Sequence, residues 1–428
     1  MTLTHYPRLD EAAYVRRLDN GLTVIVSPKP GFSKKVAYFA ANYGAIHTDF
    51  LLDGEDFHTP SGVAHYLEHK LFDLPGRDVS EEFAALGATV NAFTSYDMTA
   101  YYFSTTENFS ACLEKLLSFV STPYFTQETV AKEQGIIGQE IDMTADLPDA
   151  KSFEMLAEAM YAKHPLRVPI LGTRDSIAEI TPEMLTLCHR AFYAPSNMVL
   201  CVVGDVEPET VCRLAETVLG SAYRAPGTKQ TDWREEMTCP ASQAHASMEV
   251  AMPLFQLGFK AEPLGSGEEA IRQELLGDLA AEALFGESSP LYLQLYQEGV
   301  IDASFGGGFE ALDGAALLVC SGDSWEPEKV RQAILQEARR LRAAGIPEKD
   351  FARMKRSALG RRIRDLDSFD STCFRLCACF FSGFDYFRFP EMYQQITPQD
   401  VQTFLRRVVQ PERCAMSVIF PIEQEDFQ

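Results

Sequence analysis

The sequence lacks the features of membrane-spanning and secreted chains. It contains no run of about 18 uncharged apolar residues, although 46% of its 428 residues are hydrophobic, so no transmembrane helix is expected. Its first twenty residues alternate charged and apolar positions and show no apolar core of a secretory signal. The ten cysteines form no CxxC pair, which is typical of reduced thiols. We expect a globular protein in the cytoplasm, without a membrane partner.

Dense positive charge is also missing. The chain has 38 Lys and Arg against 61 Asp and Glu, a net charge of -23 at pH 7. Affinity for nucleic acid that is independent of base sequence depends on clustered Lys and Arg, so nucleic acid is not an expected partner. The acidity could steer basic peptides towards the protein, although it more often serves solubility alone.

Two common catalytic signatures are absent as well. No GxSxG motif occurs, which argues against a serine hydrolase of that type. The glycine-rich stretch "FGGGFE" lacks the Lys-Ser/Thr of a phosphate-binding loop and predicts a bulge or turn instead.

Strand and helix patterns alternate along the chain. The stretches "YVRRL" and "LTVIV" flank Asp19-Asn20-Gly21, a hairpin signal, and "KKVAYFAANYG" continues the strand pattern. Helical stretches such as "CLEKLLSFVS" then interleave with further strands. The fold class predicted from these patterns is α+β, with mostly antiparallel sheets packed against helices.

The two halves of the chain resemble each other. The stretches "TPEMLTLCHRAFYAPSNM" from Thr181 and "TPQDVQTFLRRVVQPERC" from Thr397 start 216 positions apart, and each has a second Pro thirteen residues after the first. At nearly the same offset "TQETVAKEQGIIGQEI" aligns with "PEKDFARMKRSALGRRI". Two matches indicate an internal duplication. We predict homologous domains at 1–225 and 243–428 and a polar linker at 226–242.

The segment "SGVAHYLEHKLF" places two histidines and a glutamate within five residues. The preceding Thr59-Pro60-Ser61 predicts a helix start, which sets His65 and His69 on one helical face about 6 Å apart. Both imidazoles could then bind one Zn²⁺. Zinc lowers the pKa of a bound water from about 15.7 towards 7, and Glu68 is placed to accept the proton of that water.

A catalytic zinc typically has three protein ligands, so a third must come from elsewhere in the chain. Glu140 is the best candidate, because the helical stretch "QETVAKEQGIIGQEIDM" carries it on one face with Glu133, beside apolar residues. Glu133 could orient a histidine ligand. The alternative is an ordinary amphipathic helix that carries histidine by chance. Two imidazoles and a carboxylate on an apolar helix are costly without a metal, which favours the zinc site.

Several motifs together resemble one enzyme family. The order H-x-x-E-H is that of the inverzincins, and it occurs with "VNAFTSYDMTAYYF", "KEQGIIGQEI" and "YAPSNMVLCVVGDVEPE". This combination resembles the pitrilysin/insulinase zinc metallopeptidases, a family that includes mitochondrial processing peptidase. The resemblance is strong over residues 15–220 and looser over 245–428. It implies two homologous α+β domains of the insulinase/LuxS-like metallohydrolase fold and a chamber that closes around a peptide.

The resemblance also implies roles for individual residues. His65, His69 and Glu140 would be the zinc ligands, Glu68 the general base and Glu133 a supporting carboxylate. In this family an exposed strand near the zinc binds the substrate backbone as an added β-strand, and "TVNAFTS" matches that segment. Asn91, Ala92 and Phe93 would then line the cleft, although an interior strand of the sheet is an equal alternative for Phe93.

One part of the family pattern is missing. Active members also use an Arg and a Tyr of the second domain to stabilise the oxyanion, yet this chain has no arginine between Arg272 and Arg331. Tyr296 stands at the position of the Arg, and Asp302 lies near that of the Tyr. Some relatives divide these roles between two similar subunits. We therefore expect a heterodimer in which a homologous subunit supplies Arg and Tyr, and consider a homodimer that uses Tyr292 or Tyr296 less favoured.

The function predicted from these observations is that of a zinc endopeptidase acting on peptides or unfolded segments. A non-catalytic scaffold or peptide-binding subunit of the same fold is the alternative. The complete set of His65, Glu68, His69 and Glu140 favours catalysis, because a scaffold needs no metal site.

Overall fold

The computed structural model describes residues 2–422, and in them helices and strands interleave as the α+β class predicts. Met1 and residues 423–428, the outermost parts of the two predicted domains, lie outside the described residues. The strands are β1 (Thr2–Tyr6), β2 (Glu11–Arg17), β3 (Thr23–Pro28), β4 (Lys35–Ala41), β5 (Asp49–Leu52), β6 (Glu55–His58), β7 (Asp73–Leu74), β8 (Arg77–Asp78), β9 (Ala88–Thr94), β10 (Thr99–Thr105), β11 (Met198–Gly204), β12 (Thr228–Lys229), β13 (Gln243–Met248), β14 (Leu254–Ala261), β15 (Gly306–Leu312), β16 (Ala315–Asp323) and β17 (Cys414–Pro421). The α-helices are α1 (Val63–Phe72), α2 (Val79–Ala84), α3 (Phe109–Ser121), α4 (Gln127–Ala145), α5 (Pro148–Met160), α6 (Arg174–Ala178), α7 (Pro182–Phe192), α8 (Pro208–Leu219), α9 (Glu268–Phe285), α10 (Pro290–Gln297), α11 (Pro327–Ala344), α12 (Glu348–Arg364), α13 (Phe369–Phe381), α14 (Phe389–Gln395) and α15 (Pro398–Val408).

The chain divides into two compact units, each built from more than one segment. The predicted domains, in contrast, are continuous stretches, and their boundaries stay a prediction. The first unit comprises Met1–Ile141, Pro169–Thr231 and Arg362–Phe389, and the second comprises Asp142–Val168, Asp232–Arg361 and Pro390–Gln428.

The first unit is built on a seven-stranded sheet. Its strand order is β1-β2-β3-β11-β4-β10-β9, so β9 forms one edge. The β3–β11 pair is parallel and the other pairs of this sheet are antiparallel. Apolar strand residues such as Val24, Phe39 and Leu200 are fully buried together with Leu113 and Leu117 of α3. This core fixes the sheet face against which α1 packs.

The second unit contains a five-stranded sheet of order β13-β17-β14-β16-β15. The β13–β17 pair is parallel, and β17–β14, β14–β16 and β16–β15 are antiparallel. The first unit has the same sequence of pairings in β3-β11-β4-β10-β9. One topology therefore occurs twice, as the predicted duplication requires.

The repeat extends to the helices that precede β11 and β17, which are equivalent strands of the two sheets. Thr181 caps α7 and Thr397 caps α15, each with Pro at the first helical position and a side-chain oxygen accepting a backbone N–H. Each helix has 11 residues and is followed by a 3₁₀ turn, at Pro195–Asn197 or Pro411–Arg413, and then by β11 or β17. The 216-residue offset seen in the sequence thus joins equivalent elements.

The predicted start of the histidine helix is wrong. The helix α1 begins at Val63 rather than at Thr59-Pro60-Ser61, and its N-cap is Gly62 with φ 92°. A Cβ on Gly62 would lie 2.5 Å from the carbonyl oxygen of Leu171. Because only glycine tolerates both this backbone conformation and this close approach, the chain turns at Gly62 and the helix starts one residue later.

The ten cysteines are free thiols, and nine of them are buried. Among residues 2–422, no helix combines the length and the apolar character needed to cross a membrane.

Candidate metal centre and adjacent cavity

Helix α1 presents two histidines to Glu140 of helix α4, and these three residues lie within the first unit. Nε2 of His65 lies 3.7 Å from one carboxylate oxygen of Glu140, and Nε2 of His69 lies 3.5 Å from the other. One ligand atom from each of the three residues falls within 4.8 Å of the others. The i and i+4 spacing accounts for the two histidines, whose ring centroids are 4.6 Å apart.

The three residues fit a zinc ion in chemistry and in spacing. Two imidazoles and one carboxylate form a donor set found in catalytic zinc sites. Ligand atoms about 2.1 Å from one tetrahedral ion are about 3.4 Å apart, close to the distances of both histidines from Glu140. Nδ1 of His65 is buried and, among residues 2–422, has no hydrogen-bond partner. A metal bond at Nε2 would offset part of the cost of burying this ring.

Glu133 contacts the ring of His69 from the side opposite to Glu140. Its Oε1 lies 3.1 Å from Nδ1 of His69, and its side chain is largely buried. A hydrogen bond from Nδ1–H fixes the tautomer that leaves the lone pair on Nε2, the nitrogen that faces Glu140. The structure therefore brings Glu133 to the position that an orienting carboxylate would take.

Burial and neighbouring charges shift the pKa values of the two histidines in opposite directions. Burial, together with the nearby His69, lowers the pKa of His65 to about 3, so His65 is neutral and has a free lone pair. Burial also lowers the pKa of His69, but the Glu133 hydrogen bond and the carboxylates of Glu68 and Glu140 outweigh it and leave this pKa raised. The carboxylates that stabilise a proton on His69 would also stabilise a metal cation bound to it.

Glu68 is held between the helix and the edge strand β9. Its side chain accepts a hydrogen bond of 2.5 Å from the hydroxyl of Thr94, and the residue is only 8% exposed. Burial raises the pKa of Glu68, against the opposing effects of Thr94 and His69. A carboxylate with a raised pKa is suited to accept and return a proton near neutral pH. Sequence reasoning missed Thr94, although the alternation of β9 places it on the face of Ala92.

A cavity of about 490 Å³ lies directly beside Glu68 and His69. Its walls come from α1, the β7–β8 hairpin, α2, β9 and α4, and they mix apolar with charged side chains. The lining residues are Glu68, His69, Phe72, Asp73, Arg77, Asp78, Ser80, Val90, Asn91, Ala92, Lys132 and Glu133. The volume is sufficient for an amino-acid side chain next to the metal-binding residues.

The three residues predicted to bind substrate lie on β9 but differ in their surroundings. Asn91 and Ala92 line the cavity. Phe93 packs in an aromatic cluster with Tyr38, Tyr102 and Phe374, with ring centroids 5.7–6.4 Å apart. The structure thus groups Asn91 and Ala92 with Glu68 and His69, and places Phe93 among other aromatic side chains.

The segment expected to carry Arg and Tyr lies in the second unit. Tyr296 on α10 is 52% exposed and stacks on Tyr292, with ring centroids 5.8 Å apart. Hydrogen bonds from Ser304 lower the pKa of Asp302, so Asp302 is a carboxylate at neutral pH. A carboxylate has no proton to donate to an oxyanion.

Comparison with known proteins identifies the family of this chain. The profile of the Insulinase (Peptidase family M16) family matches residues 55–174, and that of the Peptidase M16 inactive domain matches residues 179–358. An uncharacterized zinc protease of Bacillus subtilis (strain 168), YmfH, is 37% identical over 97% of this chain and 98% of its own length. The chain belongs to the M16 peptidase family.

Other M16 proteins extend the comparison. The crystal structure of an M16-like peptidase from Alicyclobacillus acidocaldarius superposes with a TM-score of 0.92 at 32% identity, covering 96% of this chain and 99% of that one. A second uncharacterized zinc protease of Bacillus subtilis (strain 168), YmxG, is 26% identical over 74% of this chain and 78% of its own length. This M16 chain therefore has the insulinase fold, and its relatives are named as zinc proteases.

Proposed function

We propose that this M16 chain is a zinc-dependent endopeptidase that hydrolyses peptides or unfolded segments. The observation that carries the proposal is the meeting of His65, His69 and Glu140 from two helices. Glu68 and His69 line an adjacent cavity large enough for an amino-acid side chain. Zinc, held by those three residues, would supply Lewis-acid chemistry and make water acidic enough to react at neutral pH.

Side chains of this protein carry out the proton transfer and orient the metal ligands. The Glu68 carboxylate accepts a proton from the attacking water and later gives it to the leaving nitrogen. Burial raises the pKa of Glu68, which suits both directions of transfer. Glu133 keeps His69 in the tautomer that directs Nε2 towards Glu140. The two carboxylates thus have separate roles, one in proton transfer and one in orientation.

The edge strand β9 is the proposed binding site for the substrate main chain. It pairs with β10 on one side and, within residues 2–422, with no strand on the other. The N–H of Ala92 donates to Oδ1 of Asn91 at 2.8 Å instead of to a neighbouring strand. A substrate carbonyl could replace that side-chain oxygen and extend the sheet by one strand. Such main-chain binding selects an extended peptide rather than a particular side chain.

The oxyanion donor is proposed to come from a second, homologous subunit. No arginine occurs between Arg272 and Arg331, and ionised Asp302 stands near the position of the family tyrosine. A partner of the same fold that carries Arg and Tyr would complete the reaction. A homodimer that uses the exposed Tyr296 as donor is the weaker arrangement. The cytoplasm remains our expectation for where the pair acts.

The second candidate function is a non-catalytic peptide-binding subunit. The missing arginine and the match of residues 179–358 to the inactive-domain profile favour it. The intact metal ligands and Glu68 favour catalysis instead, because peptide binding alone requires none of them.

Purification from the native host, followed by peptide-hydrolysis assays with and without co-purifying protein, tests the proposal. We expect hydrolysis that needs both zinc and a homologous partner. Full activity of the monomeric chain would contradict the heterodimer. A zinc-loaded complex that binds peptides without cleaving them would contradict catalysis and support the second candidate.

A further inference from the structure

Thr94 stands at the point where the edge strand meets the candidate active site. It is the last residue of β9 and pairs with Thr99, the first residue of β10. Side chains alternate along a strand, so Val90, Ala92 and Thr94 share one face. That face packs towards α1, since Val90 and Ala92 contact the buried core that includes Leu67 of α1.

The hydroxyl of Thr94 bonds directly to the proposed base. Oγ1 donates to Oε2 of Glu68 at 2.5 Å, a short charge-assisted hydrogen bond between partly buried groups. The bond occupies one oxygen of the carboxylate and restricts rotation of the Glu68 side chain. The other oxygen is left available to a water in the cavity, which Glu68 lines.

The main chain around Thr94 is itself fixed. The hydroxyl of Ser95 accepts the N–H groups of Asp97 and Met98, and the N–H of Ser95 donates to the Met98 carbonyl at 2.7 Å. This turn packs against Gly44, where an added Cβ would lie 2.5 Å from the N of Asp97. Thr94 therefore approaches Glu68 from a rigid support, and its β-branched side chain has few alternative rotamers.

We propose that Thr94 is a positioning residue that holds the Glu68 carboxylate in the orientation needed for proton transfer. The inference rests on the proposed peptidase function. It also links substrate binding to catalysis, because the strand that would bind the peptide is the strand that carries this hydroxyl. A peptide that orders β9 would at the same time order the base.

The matched variants are Thr94→Val, which removes the hydroxyl at nearly constant volume, and Thr94→Ser, which keeps it. Loss of a bond that orients an active-site group typically costs about 10–100-fold in activity, and we expect that fall in kcat for Thr94→Val. We expect KM to change by less than about threefold and zinc to stay bound, since the substrate and metal contacts remain. Thr94→Ser should retain most of the activity. Thr2→Val, on an exposed position of β1 at the opposite edge of the same sheet, should match the unaltered protein.

Crystal structures of the zinc-loaded variants give a readout that does not depend on activity. In Thr94→Val the Glu68 carboxylate should rotate away or occupy several rotamers, whereas Thr94→Ser should keep its position. If Thr94→Val does not fold, Thr94→Ala removes the same hydroxyl with a smaller side chain. An unmoved Glu68 in the valine or alanine variant, or a kcat equal to that of Thr2→Val, would overturn the proposal. If the unaltered protein with its partner cleaves no peptide, the proposed function is wrong. The orientation of Glu68 in the variant crystal structures still tests the positioning role of Thr94.

Discussion

The hydroxyl of Tyr66, inside the histidine pentad, donates a hydrogen bond of 2.5 Å to the main-chain carbonyl of Val130. Tyr66 is fully buried, and this bond joins α1 to α4, the helix that carries Glu133 and Glu140. The two helices that supply the candidate ligands are thus tied together one turn before Glu133.

Removal of this hydroxyl should loosen the junction between the helices. We expect Tyr66→Phe to lower the free energy of unfolding by about 1 kcal/mol, the usual net worth of a buried hydrogen bond. Zinc affinity should fall as well, because Glu140 would be held less firmly. Urea unfolding and zinc titration measure the two effects. Tyr14→Phe on β2 is the matched control, and an effect of equal size there would contradict a specific role for Tyr66.

Glu133 should matter for the metal without being a ligand itself. We expect Glu133→Gln to weaken zinc binding about 10–100-fold, since the carboxylate that orients His69 is replaced by a neutral amide. Competition with a chelating indicator measures the affinity. Glu128→Gln, an exposed change in the first turn of the same helix, should bind zinc as the unaltered protein does. Equal affinities for the two variants would contradict the orienting role.

Much of the candidate site could be predicted from the sequence because it depends on local spacing. The i and i+4 histidines and the seven-residue interval between Glu133 and Glu140 follow from helical periodicity, and the structure brings these residues together. The hairpin at Asp19–Gly21 and the repeated Thr-Pro helix starts are similarly local signals. The internal duplication seen in the sequence also agrees with the strand order that the two sheets share.

Features that depend on contacts between distant segments could not be predicted. The start of α1 is set by Leu171, which is more than a hundred residues away from Gly62. Ile136 of α4 is apolar and yet 45% exposed, because hydrophobicity alone does not specify which side of a helix faces a neighbour. The bond from Thr94 to Glu68 depends on the register of β9 against α1, for which the sequence has no signal.

Two glycines with similar backbones should respond differently to alanine. Gly62 and Gly87 have φ values of 92° and 74°, but a Cβ on Gly62 would meet the Leu171 carbonyl at 2.5 Å, whereas one on Gly87 would meet nothing within 4 Å. We expect Gly87→Ala to cost about 1–2 kcal/mol for the left-handed conformation alone, and Gly62→Ala to cost clearly more. Urea unfolding of both variants measures the difference. Equal losses would contradict the role assigned to the contact with Leu171.

His189 should make the protein less stable in mild acid. Burial lowers the pKa of His189 to about 4, and its ring packs with Nε2 2.9 Å from the carbonyl of Val120. The unfolded chain binds a proton near pH 6.5 and the folded chain only near pH 4, so stability is present above pH 6.5 and lost as the pH falls to 4. The full change in the free energy of unfolding from this pKa difference is about 3 kcal/mol.

Comparison with His189→Gln isolates this contribution. The unaltered protein should exceed the variant in stability most at pH 7, and the difference should shrink towards pH 4 because glutamine does not titrate. Urea midpoints at several pH values measure it. A difference that stays constant with pH would show that His189 titrates alike in the folded and unfolded chains.

The zinc content and peptide hydrolysis of three forms of the protein, each with its co-purifying partner, test the central claim most directly. We predict about one zinc per chain and hydrolysis for the unaltered protein, little zinc and no hydrolysis for His65→Ala, and full zinc without hydrolysis for Glu68→Gln. Full zinc in His65→Ala would contradict the metal site. Undiminished hydrolysis by Glu68→Gln would contradict the assignment of Glu68 as the base.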